Sequence, residues 1–197
     1  MYTATTTQIL HKEHDTKGNK EQEEEDVIHN IFKVNINGTL NVVLPALKQA
    51  KMRHGRKKHI AIVASGAGYH GRFMGPYGIT KTFLIEFYRV LNYIINFSLE
   101  KEIKQRYANS EQIAIHIINP AGVFDTKMGS AIPNLEKVPG STNAVDAAQR
   151  IMSGLRKNEQ IIDLNNPIVF GGLRLLNALP ISAEGLLSSV LQLNKYS

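Results

Sequence analysis

The chain has 197 residues, 43% of them hydrophobic and 20% charged, with no cysteine and a formal net charge of +6. Such a composition describes one globular domain with its own core. It excludes a disulfide framework, a thiolate metal site and a cysteine nucleophile.

Residues 1–26 are polar, rich in Thr, Lys and Glu, and end in an acidic cluster closing at Asp26. They carry no apolar h-region of a secretory signal, so the cytoplasm is the expected location. They bury too little apolar surface to order themselves and read as a loop or flexible arm, and residues 27–197 form the expected domain. Val27, Ile28, Ile31, Phe32, Ile36, Leu40, Val43, Leu44 and Leu47 then mark a helical stripe to about Ala50. Asp26 is the expected N-cap of that helix and Pro45 its kink. The basic run Lys51 to His59 has no aromatic residue interleaved to stack on bases. It reads as a solvated connecting loop, and no nucleic-acid partner is expected.

His59 to Ala64 is a short β-branched run, the pattern of a strand buried on both faces, and it ends at Ser65-Gly66. A second strong helix is expected from Tyr77 to about Leu99, where Ile79, Phe83, Leu84, Phe87, Val90, Leu91, Ile94 and Ile95 recur at helical spacing. Ile113 to Ile118 repeats the buried-strand pattern and stops at Asn119-Pro120. A helix over about Asn143–Leu155, a short strand over Gln160–Leu164 and apolar segments Ile168–Leu179 and Ala183–Leu193 complete the chain. Strands alternating with long helices predict an α/β fold, a parallel sheet with flanking helices and too few strands for a full doubly wound sheet.

Gly66-Ala-Gly68-Tyr-His-Gly71 satisfies the GxGxxG pattern after an expected strand. A dinucleotide cradle needs a helix that starts among its glycines and aims N–H groups at the pyrophosphate. Here Gly75-Pro76 intervene and no acidic residue ends a following strand, so the glycines read as a flexible turn.

Tyr77 and Lys81, four residues apart, share one face at the start of the long helix. A phenol near pKa 10 is a poor acid-base catalyst at neutral pH, and a nearby ammonium favours its phenolate. Ser65 lies where a buried strand ends, at the C-terminal edge where open α/β sheets build their sites. One hydroxyl to bind a substrate oxygen, one tuned phenol to pass a proton and one lysine suit carbonyl reduction or alcohol oxidation. Taken alone, Asn35 is a polar residue breaking an apolar helix face and Thr126 a loop hydroxyl.

From about Val34 to Met128 the chain resembles the short-chain dehydrogenase/reductase family. Four segments carry the resemblance: Val34-Asn35-Ile-Asn-Gly38, Ile62-Val-Ala-Ser65-Gly-Ala67-Gly68, Tyr77-Gly-Ile-Thr-Lys81 and Asn119-Pro-Ala-Gly122-Val-Phe124-Asp-Thr126-Lys-Met128. The resemblance implies an incomplete Rossmann-like sheet and an NAD- or NADP-dependent oxidoreductase acting on a small carbonyl or alcohol substrate. It makes Tyr77 the acid/base, has Lys81 lower the pKa of Tyr77 and bind the nicotinamide ribose, has Ser65 hold the substrate oxygen, and has Asn35 order a relay water. Gly122, Phe124 and Thr126 belong by it to the loop that contacts the nicotinamide carboxamide, and no metal is implied.

The family's first strand, its Gly-rich phosphate-binding turn and its Asn-Asn-Ala-Gly strand end have no counterpart upstream. The expectation is therefore a truncated chain that begins just beyond them, with doubtful cofactor binding and the strand at residues 59–64 short of a neighbour. Ser65 and Tyr77 also stand one residue closer than is usual in the family, and Ala121 replaces its loop proline. The alternative expectation is a non-catalytic remnant or assembly partner that associates through exposed apolar helices, as a homo-oligomer or with a complementary fragment. Membrane association through the two C-terminal segments is a weaker reading than core or pocket helices.

Overall fold

The computed structural model of the chain describes residues 17–52, 57–70, 74–96, 113–138, 140–164 and 167–177. Its elements are helix α1 (Lys17–Phe32), a π-helical turn (Lys33–Asn37), α2 (Gly38–Met52), strand β1 (Lys58–Val63), a 3₁₀ turn (Gly66–His70), α3 (Gly75–Asn96), β2 (Ile113–Asn119), 3₁₀ turns at Gly129–Ala131 and Leu135–Lys137, α4 (Ala144–Arg156), β3 (Ile161–Asp163) and α5 (Pro167–Asn177). The sheet runs β1-β2-β3 and both pairings are parallel. This is the expected α/β class, an incomplete Rossmann-like sheet with flanking helices.

The N-terminal reading needs correction. Helix begins at Lys17, so Asp26 lies inside α1 and caps nothing. Glu, Lys and Gln are good helix formers, the Glu25 carboxylate and His29 ring meet one turn apart, and the segment runs straight into the amphipathic stretch it precedes. Residues 1–16 and the segment Ala183–Leu193 lie outside the described residues. Pro45 sits within α2, where it leaves the Asn41 carbonyl without its helical N–H donor. The irregularity of the first long helix falls earlier, at the π-helical turn that contains Asn35.

The core lies between one face of the sheet and α2 and α3. Ile60 and Ile62 of β1 pair with Ile115 and Ile117 of β2 and meet Val43, Leu47, Leu84, Tyr88 and Leu91 from the helices. Over β2 and β3 the opposite face is also covered: a Cβ on Gly154 of α4 would stand 2.8 Å from the Ile162 side chain, so α4 packs hard against β3. Over β1 no described element covers that face. His59, Ala61 and Val63 are exposed, which corrects the expectation of a strand buried on both sides; β2, flanked by strands on both edges, fulfils it. Among the described residues no helix is long and apolar enough to cross a membrane.

Two histidines tie β1, β2 and the turn before β3 together. His116, fully buried, places Nδ1 2.6 Å from the Glu159 carbonyl oxygen and Nε2 2.8 Å from Nδ1 of His59. A carbonyl only accepts, so His116 Nδ1 carries a proton, and in the neutral pair His59 Nδ1–H donates to His116 Nε2. Burial, then the His116 ring and then Lys57, lower the pKa of His59. The unfolded chain therefore binds this proton more readily, so the stabilisation is present above the ordinary histidine value near 6.5 and is lost as pH falls through the lowered folded value. Urea denaturation at pH 7.5 and pH 5 should show a weaker fold in acid, and His59→Ala should flatten that difference; an unchanged pH dependence would discard the assignment.

Candidate active site

Ser65 follows β1 at the C-terminal edge of the sheet and is buried. Its hydroxyl accepts from the Ala67 N–H at 3.1 Å, while Gly66 N–H donates to the Pro120 carbonyl at 2.6 Å and Gly68 N–H to the Ser65 carbonyl at 3.0 Å. Gly66–His70 of the glycine motif thus form a tight 3₁₀ turn whose first N–H groups are already bonded, in place of the flexible turn expected; Gly71 lies outside the described residues. A Cβ at Gly68 would lie 2.8 Å from the Lys81 carbonyl, and Thr82 Oγ1 donates to the Gly68 carbonyl at 2.7 Å. Glycine is required here because the backbone of α3 docks directly on the turn.

That docking brings the expected pair together. The Ser65 hydroxyl comes close enough to the Tyr77 phenol to lower its pKa. Gly75, at φ 55°, turns the chain into α3, and Pro76 occupies the first turn, where its missing N–H costs nothing. The net shift of the Tyr77 pKa is upward. Burial raises it, and the Ser65 hydroxyl opposes this only partly. The ammonium lies 5.4 Å from the centroid of the Tyr77 ring and donates to the Val63 carbonyl at 3.3 Å. Burial also lowers the pKa of Lys81 itself.

Asn35 reaches the site through a residue that sequence reasoning missed. Its Nδ2 donates to Thr80 Oγ1 at 3.0 Å, and the Thr80 hydroxyl donates to the Tyr77 carbonyl at 2.7 Å. Thr80 is fully buried. Its place between Tyr77 and Lys81 in a helix was the available signal, since a buried hydroxyl needs partners. The Asn35 carbonyl accepts from Thr39 Oγ1 at 2.7 Å.

Gly122, Phe124 and Thr126 form a neighbouring loop, joined to Ser65 through Pro120. Phe124 N–H donates to the Thr142 carbonyl at 3.1 Å and Thr142 N–H to the Gly122 carbonyl at 2.9 Å. The Thr126 hydroxyl donates to the Val123 carbonyl and accepts from the Gly129 N–H, so it staples the loop to itself. Asp125 Oδ1 accepts from Ala144 N–H at the start of α4. The loop is well built, but among the described residues no hydrogen bond runs from Gly122, Phe124 or Thr126 to Tyr77 or Lys81.

The other side of the Ser65 turn is closed by α5, also without a sequence signal. Phe170, fully buried, meets Tyr69 edge-on at 6.2 Å between centroids. One guanidinium nitrogen of Arg174 donates to both Asp163 oxygens at 2.8 Å and to the Tyr69 hydroxyl at 3.4 Å. Asn119 Nδ2 donates to Asp163 Oδ1 and to the Tyr69 hydroxyl. The cluster ties the ends of β2 and β3 to the turn that carries Ser65.

Serine at a strand end, tyrosine and lysine one helical turn apart, and an asparagine on the preceding helix occur in one order and around one edge of a parallel sheet. Comparison with protein families matches residues 9–136 to the family described as short chain dehydrogenase. The chain belongs to that family. No curated protein matches it. The matched span of this short-chain dehydrogenase includes α1, the Ser65 turn, α3 and the Gly122–Thr126 loop, and it stops before the Arg174 cluster. Among the described residues no group of three or more His, Asp or Glu could hold a metal ion.

Proposed function

We propose that this short-chain dehydrogenase interconverts a carbonyl and an alcohol with NAD or NADP as its hydride carrier. The approach of the Ser65 hydroxyl to the Tyr77 phenol, with Lys81 against the same ring, carries the reading. Two hydroxyls that already meet can both reach one substrate oxygen: Ser65 holds it, and Tyr77 gives it a proton in reduction or takes one in oxidation. Asn35, braced by Thr80, fits the role of ordering a water behind Tyr77. When bound, the nicotinamide supplies the hydride that no side chain can deliver.

The residues fit one end of that cofactor better than the other. Tyr77, Lys81 and the loop bearing Gly122, Phe124 and Thr126 would hold the nicotinamide and its ribose. The GxGxxG turn does not fit the pyrophosphate, because the N–H groups of Gly66, Ala67 and Gly68 are spent inside the protein. Calorimetry with NADH and NADPH should therefore give weak binding, with Kd about 1 mM, worth about 4 kcal/mol. Absence of heat with either at several-fold higher concentration would sink catalysis by this chain alone.

A second reading, association, draws on the outward face of α3. Ile79, Phe83, Val90 and Tyr93 are exposed there with Glu86 between them, at alternating spacings of four and three that suit packing against another helix. An antiparallel pair of these helices centred on Glu86 would place the Arg89 of each copy near the Glu86 of the other. Light scattering should show a dimer that Val90→Glu converts to monomer; a monomeric parent chain would refute the association.

A further inference from the structure

Asn119 ends β2 fully buried, and its amide is set between two groups. Nδ2 donates to Asp163 Oδ1 at 2.9 Å and to the Tyr69 hydroxyl at 3.3 Å, while the equally buried Oδ1 meets no donor among the described residues. An unpaired buried carbonyl is costly, so a side chain placed there only to fill space would be apolar. One guanidinium nitrogen of Arg174, on α5, donates to both Asp163 oxygens at 2.8 Å and reaches the Tyr69 hydroxyl at 3.4 Å. The same guanidinium lies 5.1 Å from the centroid of the Tyr69 ring. The Asp163 side chain is 15% exposed, so its charge depends on that cation. The residue after Asn119, Pro120, takes the Gly66 N–H. The turn that follows Ser65 is therefore held at two points, at Gly66 by the Pro120 carbonyl and at Tyr69 by the Asn119 amide and Arg174.

We propose that Arg174 is a positioning residue for Ser65: through Asp163, Asn119 and Tyr69 it fixes the turn in the orientation that brings the Ser65 hydroxyl to the Tyr77 phenol. Without the guanidinium, Asp163 keeps only the Asn119 amide as a side-chain donor among the described residues. That amide turns wholly to the carboxylate, the stronger of its two acceptors, and Tyr69 loses both of its donors at once. The turn is then pinned only at Gly66. The Ser65 hydroxyl accepts the Ala67 N–H within the same turn, so it moves when the turn does. In place, it opposes the rise that burial imposes on the Tyr77 pKa; displaced, it leaves the phenol harder to ionise. Helix α5 begins at Pro167, beyond the span matched to the family, so this control comes from a part of the chain outside the match. The inference rests on the oxidoreductase reading for the role of Ser65, yet the contacts and the ionisation of Tyr77 are independent of turnover.

The test follows the Tyr77 phenol by carbon NMR of ring-labelled tyrosine, its signal identified by its loss in Tyr77→Phe. Arg174→Met and Tyr69→Phe should each raise the Tyr77 pKa by about half a unit to one unit, three- to tenfold less phenolate at a given pH. Both should speed amide exchange at Gly66 and Ala67 but not at Leu84 in the core. Tyr69→Phe changes no charge and keeps the ring against Phe170, so it decides alone if Arg174→Met loses the fold. Arg174→Lys keeps a cation for Asp163 without the fork that also reaches Tyr69, and should recover part of the shift. In a Ser65→Ala background none of these substitutions should move Tyr77 further. A Tyr77 pKa unmoved by Tyr69→Phe, or by a folded Arg174→Met, would refute the proposal. So would a shift of the same size in Ser65→Ala, because Arg174 would then act by its charge at a distance and not through the serine. No arm measures turnover, so a chain that reduces no carbonyl leaves this test intact, and failure of the coupling leaves the oxidoreductase reading to its own test.

Discussion

Tyr77→Phe should lower kcat/KM for carbonyl reduction about 10²- to 10⁴-fold, the usual contribution of a positioned acid or base, while urea denaturation stays close to that of the parent chain. The substitution removes one hydroxyl and keeps the ring against which the Lys81 ammonium lies. What is lost is the proton donor and the polar group that Ser65 acts on. Because burial raises the Tyr77 pKa, the phenol is the dominant form throughout the neutral range. Reduction, which needs the acid, should thus be insensitive to pH there. Oxidation, which needs the phenolate, should climb with pH toward and beyond the ordinary tyrosine value near 10. A variant within tenfold of the parent, or an oxidation rate that falls with rising pH, would remove Tyr77 from the chemistry.

Phe170→Ala should cost about 3–5 kcal/mol of stability in urea denaturation, the range for truncating a buried phenylalanine. The ring is fully buried and bears on three parts of the Ser65 turn and its lock at once. It meets Tyr69 edge-on, it carries the Arg174 guanidinium 5.7 Å from its centroid, and it stands 3.4 Å from where a Cβ on Gly66 would be. Rigid strand ends on one side and α5 on the other leave the void little room to collapse. Phe170→Leu, which keeps most of the volume, should cost much less. A loss below about 1 kcal/mol for the alanine variant would show that α5 does not close the turn.

The helices from Val27 and from Tyr77, the two apolar strands and the order Asn35, Ser65, Tyr77, Lys81 were legible in the sequence because each is a local pattern. Helical stripes, β-branched runs and a chemical residue at a strand end all show within a window of about 18 residues. The charged stretch Lys17–Asp26 was misread for a related reason: it has no apolar stripe, and it is helical because good helix formers run straight into the amphipathic stretch from Val27. Thr80 was within reach, since a threonine between the two motif residues in a helix invites the question of its partner. Asp163 and Arg174 were not, because neither stands in a motif and they meet Asn119 and Tyr69 from distant parts of the chain.

By itself the sequence determined the α/β class, the family likeness and which side chains stand at the end of β1 and the start of α3, since these follow from residue periodicity and identity. Only the tertiary structure decided what those groups do to one another. The GxGxxG turn serves close packing because α3 docks on Gly68. Lys81 answers to the Val63 carbonyl because β1 ends the sheet of the described residues. The Tyr77 pKa rises because burial outweighs the Ser65 hydroxyl. Desolvation, edge exposure and close backbone approach are properties of segments brought together from far apart, and no local window contains both partners.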